Sequence, residues 1–213
     1  MYRGEMPTST ASAPPVGRRE RKKNAVRASI VTAALDLFER QGVDATTIEE
    51  ITDSVDLATR TFHRYFATKL DVLFHDSQHL SDLIRGALES RSENEPLLVS
   101  LREAFLELAS DLTTQRARQL QRQKIIEAHD GLKAMSLRRS EELAALVTHH
   151  CAARLQSRPH DLLPQLLGGC AAAAFRAART RWMTDRRVDL QTEVRRSFEM
   201  LADFEQALRG SAR

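Results

Sequence analysis

"TTIEEITDSVDLATRTFHRYFATKLDVLF", residues 46–74, holds two short amphipathic runs around a break of a few residues. In the first, Thr47-Ile48-Glu49-Glu50 has the form of a capping box: the Thr47 hydroxyl accepts the Glu50 N–H and the Glu50 carboxylate reaches back. Ile48, Ile51 and Val55 make a short apolar stripe behind it, ending near Asp56. A second helix starts around Ala58 or Thr59 and carries Phe62, Tyr65 and Phe66 on one side. Helices this short are unstable alone and must pack on something. The preceding run supplies the support: Val26, Ile30, Ala33, Ala34, Leu37 and Phe38 recur at helical spacing, and Gly42 gives the stop. With Phe62 and Phe66 turned into a three-helix core over residues 22–66, helical geometry leaves Thr59, Arg60, His63 and Arg64 facing water. Arginine can fork onto the O6/N7 edge of guanine, and threonine can bond a base or touch a thymine methyl. A supporting helix paired with an exposed, hydroxyl-bearing and cationic one is the helix-turn-helix arrangement.

The rest of the chain fits an all-α protein of about nine helices, with no alternating strand pattern. At 213 residues, 42% hydrophobic and 29% charged, the composition is that of a soluble protein with enough length for a sizeable core. The most apolar stretch, "LLPQLLGGCAAAAF" at 162–175, is broken by Pro164 and Gln165 and falls short of the roughly 18 residues a membrane helix needs. Cys151 and Cys170 make no disulfide framework, which points to a reducing compartment and hence the cytoplasm. Net charge is only +3, but Arg18, Arg19, Arg21, Lys22 and Lys23 cluster behind a Pro/Ser/Thr/Ala segment with too little apolar surface to fold. Residues 1–20 are therefore expected to be a disordered basic arm, residues 21–68 the helix-turn-helix domain, and residues 69–213 a larger helical domain.

The string "AALDLFERQGVDATTIEEITDSVDLATRTFHRYFATKLDVLF" resembles the N-terminal domain of the tetracycline-repressor (TetR) family of regulators. The shared landmarks are Ala34, Leu37, Phe38, Gly42, Thr47, Ile48, Ile51, Thr61, Arg64, Tyr65, Phe66 and Lys69. Three positions depart from the family pattern. Asp56 stands at the usual turn glycine and tolerates left-handed geometry, Ala58 replaces a frequent capping Ser, and His63 replaces a frequent Tyr. The resemblance implies that Thr59, Arg60 and Thr61 face base edges, that His63 and Arg64 line the groove wall, and that Thr47, Tyr65 and Lys69 touch phosphates. Ile48, Ile51, Leu57, Phe62 and Phe66 are expected in the core.

For the larger half, the resemblance implies a bundle that pairs two subunits through its last two helices and encloses a ligand. Residues 162–182 are apolar over a wide arc, and Leu190, Val194, Phe198, Leu201, Phe204 and Leu208 form a second stripe. Leu163, Leu167, Cys170, Ala174, Phe175, Val194, Phe198 and Leu201 are the expected dimer contacts, with Gly168-Gly169 and the alanines from 171 allowing close helix approach. The expected ligand lining is Leu101, Phe105, Leu108, Ile125 and Leu146, with Arg176 from an arginine-rich region around Trp182 that includes Arg179, Arg181, Arg186 and Arg187. "RTFHRYF", "AAFRAARTRWM" and "VDL" also look like actinobacterial regulators of the mycofactocin-system type, which implies an acyl-CoA or other apolar effector. A long helix beginning near Lys69 is the expected lever between the two regions.

Neither an enzyme nor a cofactor protein is expected. His149, His150 and Cys151 are adjacent on a helix and point about 100° apart, so they set no nucleophile against a base. They also lack the i, i+4 spacing of a helical metal pair, and His129 lies on another segment. The rival reading is a helical ligand carrier or protein-interaction module without DNA binding. The intact Arg60, Thr61, Arg64 and Lys69 weigh against it.

Overall fold

The computed structural model describes the backbone of residues 17–211 and the side chains of that span apart from Glu20 and 204–211. The calls on residues 1–16, and on the side chains of Phe204 and Leu208, lie outside the described residues. Among those described, the chain forms helices α1 (Arg18–Gln41), α2 (Ile48–Asp53) and α3 (Thr59–His63), then a 3-10 turn (Lys69–Phe74). There follow α4 (Asp76–Glu89), α5 (Leu97–Thr113), α6 (Arg116–Glu127), α7 (Asp130–Arg154), α8 (Leu162–Thr184) and α9 (Leu190–Ser211), with no strand.

Two differences from the sequence expectation concern boundaries. Arg18 and Arg19 already belong to α1, so the basic cluster is helical rather than part of an extended arm. The element after residue 68 is not the start of a long helix. Thr68 accepts the Asp71 N–H and Asp71 returns a bond to Thr68, a second capping box that opens a separate 3-10 turn before α4.

Apolar burial divides into two clusters. In the first, Ile30, Val31, Ala34, Leu35 and Phe38 of α1 meet Ile51, Phe62, Phe66, Val72 and Leu73. That cluster is closed by Ile125 and Ile126 of α6 and Leu132 of α7. The N-terminal helices thus do not bury their own core unaided. Helix α6 is tied to α1 on its polar edge too: Arg118 bonds the Thr32 hydroxyl at 3.1 Å, and Gln121 bonds Asp36 and Glu39 at 3.0 and 2.8 Å.

The second cluster joins α4, α5, α7, α8 and α9 around Phe105, whose ring lies 4.9 Å from Phe175 and 5.7 Å from Phe198. Helices α7 and α8 touch at Gly168, where an added Cβ would stand 2.8 Å from the Thr148 Cα. The close approach expected of Gly168 is therefore made within the chain, while a Cβ at Gly169 would meet nothing within 4 Å. Arg116, at the start of α6, closes the C-terminal end of α8. It donates to the carbonyls of Trp182 and, at 2.9 Å, Asp185, with its guanidinium 4.9 Å from the Trp182 ring centre.

Candidate nucleic-acid interface and ligand cavity

The helix pair is held by its own short-range chemistry. Thr47 accepts the Glu50 N–H at 3.2 Å while Glu50 accepts the Thr47 N–H at 2.8 Å. That backbone bond, more than the neighbouring side chains, holds the Glu50 carboxyl below its ordinary range. Asp56 adopts φ 52°, the left-handed geometry that lets the Leu57 N–H return to the Thr52 carbonyl at 2.9 Å and reverse the chain. Ala58 is the N-cap of α3 and makes no side-chain cap, so Thr59 opens the helix without shifting its start.

Phe62 is fully buried and Phe66 is 5% exposed, with ring centres 5.5 Å apart. Arg60, His63 and Arg64 are exposed, while Thr59, Thr61 and Tyr65 are half-buried beside them. Arg64 lies over Tyr65, its guanidinium 5.1 Å from the ring centre. Across a surface groove, Arg19, Lys22, Lys23 and Val26 of α1 face Arg64 and Tyr65. The pattern "RRERKK" held the signal for this α1 contribution, but only folding shows that these cations flank the exposed helix. Lys69 is half-buried and donates to the carbonyls of Asp44 at 3.2 Å and Thr46 at 2.7 Å. It ties the loop before α2 to the 3-10 turn.

A cavity of about 170 Å³, open to solvent on one side, lies among α4, α5, α6, α7 and α8. Leu108 and Arg176, both expected, line it, and so do Leu80, Leu112, Leu143, Phe175, Arg122 and Arg179. The other expected lining residues do not. Leu101 and Phe105 are in the bundle core, Leu146 packs against that core, and Ile125 belongs to the N-terminal cluster while its neighbour Ile126 reaches the cavity.

The expected dimer contacts divide in the same way. Ala174, Phe175, Val194 and Phe198 are buried inside the chain, and Leu167 and Leu201 are half-buried against the same core. Leu163 is 52% exposed and Cys170 half-buried. Among the described residues, the large apolar side chains left in water on these helices are Leu162, Leu163, Leu166 (56% exposed) and Met200 (64% exposed). Of the arginines around Trp182, Arg181 pairs with Glu193 at 3.1 Å and Arg187 with Asp185 at 2.9 Å.

Cys151 is buried, which pushes its thiol up to about 11, and burial beside Arg154 pulls His150 down. Among the described residues, no group of three or more His, Cys, Asp and Glu side chains could hold a metal ion, and no helix is long and apolar enough to cross a membrane.

Comparison with known proteins agrees with this geometry. Residues 30–75 match the family described as "Bacterial regulatory proteins, tetR family", and residues 95–206 match the "MftR C-terminal domain". The transcriptional regulator TcmR of Streptomyces glaucescens is 30% identical over 190 residues, covering 86% of this chain and 83% of that protein. The putative mycofactocin biosynthesis regulator MftR of Mycobacterium tuberculosis is 24% identical, covering 88% and 95%. Among solved structures, the SmeT–triclosan complex superposes with a TM-score of 0.61 at 17% identity, covering 83% of this chain and 89% of that one. Thermus thermophilus FadR in complex with lauroyl-CoA gives 0.56 at 22% identity, covering 83% and 93%. At these identities the two structures show a shared fold.

Proposed function

The chain belongs to the TetR family of bacterial transcriptional regulators, and from that premise we propose that it is a repressor that binds a palindromic operator as a homodimer and leaves it when a small molecule fills the cavity. The observation that carries this reading is the exposed Arg60–His63–Arg64 surface held out by buried Phe62 and Phe66. In this reading Thr59, Arg60 and Thr61 meet base edges, which is where sequence is read. His63 and Arg64 line the groove wall, and Thr47, Tyr65 and Lys69 lie along the phosphates together with Arg19 and Lys22. Such phosphate contacts make affinity steeply salt-dependent.

A palindrome requires two recognition helices about 34–36 Å apart. The exposed Leu162, Leu163, Leu166 and Met200 support pairing through α8 and α9, burying surface that one chain leaves wet. An effector acts by favouring a subunit spacing that misses the grooves, and operator and effector then weaken each other by the same factor. The route runs through α6, whose Arg122 lines the cavity while Arg118 and Gln121 hold α1. An acyl-CoA thioester is admitted by this reading, given the ligand in the FadR structure. Acting on chromosomal DNA places the protein in the cytoplasm.

A gel shift with DNA upstream of its own gene tests the proposal. The expected result is a retarded band whose affinity falls steeply between low and physiological salt and which added effector disperses. No shift at low salt, or equal binding to unrelated DNA, overturns it in favour of a carrier without operator recognition.

A further inference from the structure

The polar lining of the cavity does not balance. Four arginines line it, Arg122, Arg139, Arg176 and Arg179, against the carboxylates Asp76 and Glu142. Both carboxylates are already engaged. Asp76 lies 2.8 Å from Arg122 and 2.5 Å from His75, and Glu142 lies 3.2 Å from Arg139. Among the described residues Arg176, which is exposed, and Arg179, which is half-buried, have no carboxylate partner and no hydrogen bond to another side chain or carbonyl. Arg122 is only 6% exposed, and its buried Nε has no partner either. Burial, with Arg122 adding to it, pulls the Arg179 guanidinium down to about 10, so at neutral pH it is charged and disfavoured where it stands. The apolar part of the lining is formed by Leu80, Leu108, Leu112, Leu143 and Phe175.

A partly buried cation without a counter-ion costs folding free energy, which an anion from solution can offset. We infer that the effector is an organic acid, its carboxylate or equivalent anion held by Arg179 with Arg122 and Arg176 beside it and its apolar body laid against Leu108, Leu112 and Phe175. This deepens the proposed function, since it names the ligand class of the same cavity. It also gives the ligand a direct effect: an anion competing with Asp76 for Arg122 loosens the tie between α6 and the first turn of α4.

The test is calorimetry without DNA, using octanoate, octan-1-ol and octylamine as probes of equal chain length. Octanoate is expected to bind about ten-fold or more tightly than octanol, and octylamine not at all, because charge-assisted bonds carry the difference. Arg179→Met is expected to weaken octanoate about ten-fold while leaving octanol unchanged, and Arg179→Lys to recover part of the loss. The Met variant is also expected to melt at a higher temperature than the wild type without ligand, which separates lost binding from misfolding. Equal affinity for acid and alcohol, no octanoate binding, or an indifferent Arg179→Met overturns the inference. The gel shift is read separately: operator binding with no acid preference sinks only the ligand class, and acid binding with no operator sinks only the DNA reading.

Discussion

Arg60 and Lys69 carry the same charge and are expected to behave differently when removed. Arg60 is exposed on α3 and, among the described residues, its side chain has no hydrogen-bond or ion-pair partner, so Arg60→Ala should leave folding unchanged. It should cost roughly 1–3 kcal/mol of operator affinity and relax the preference at one base position, measured by competition among single-base operator variants. Lys69 holds the carbonyls of Asp44 and Thr46. Lys69→Met should therefore lower stability by about 1–2 kcal/mol in urea unfolding without DNA, besides weakening all DNA sequences alike. A Lys69 that served phosphate alone would leave the unfolding midpoint unmoved. Local chemistry at this scale was largely legible. The Thr47–Glu50 box and the left-handed Asp56 follow from residue type and spacing, because each partner lies within a few positions along the chain. The Thr68–Asp71 box carried the same signal and was missed.

At the scale of the element, an apolar stripe says that a helix face is covered but not by what. Val194 and Phe198 were expected against a second subunit, yet they pack on Phe105 and its neighbours in their own chain. Four of the six expected lining residues, Leu101, Phe105, Ile125 and Leu146, fall elsewhere for a similar reason. Which side of α5 faces the void depends on how α4, α6 and α8 settle on it, and Leu108 faces it while Leu101 and Phe105 do not. Gly168 and Gly86 give a clean contrast between two helical glycines. Gly168→Ala pushes a methyl against the Thr148 backbone and should cost about 1–3 kcal/mol, whereas a Cβ at Gly86 meets nothing within 4 Å. Gly86→Ala should instead gain up to about 1 kcal/mol from helix propensity. Thermal melts of the two variants check the opposite signs.

For the whole molecule, the contact between α4 and α6 makes stability depend on acid. Burial alone would raise the Asp76 carboxyl, but the His75 hydrogen bond and the Arg122 charge outweigh it and hold the group well below the usual carboxylate range. Its folded pKa is depressed, so its contribution is present above the unfolded value near 4 and is lost as pH falls from there toward the lower folded value. Asp76→Asn should accordingly cost about 2 kcal/mol or more at pH 7, with the gap from wild type narrowing steadily as pH is lowered below about 4 in urea titrations. A gap that stays constant with pH would mean that packing, not charge, accounts for the loss.

The sharing of Ile125 and Ile126 between α6 and the N-terminal cluster has an engineering corollary. Chimeras that splice the reading head of one regulator onto the sensor of another commonly assume a seam at the domain boundary. Here a seam near residue 75 would strip α1 of its roof, so a transplant must bring α6 along or supply a foreign helix with matching grease at those two positions.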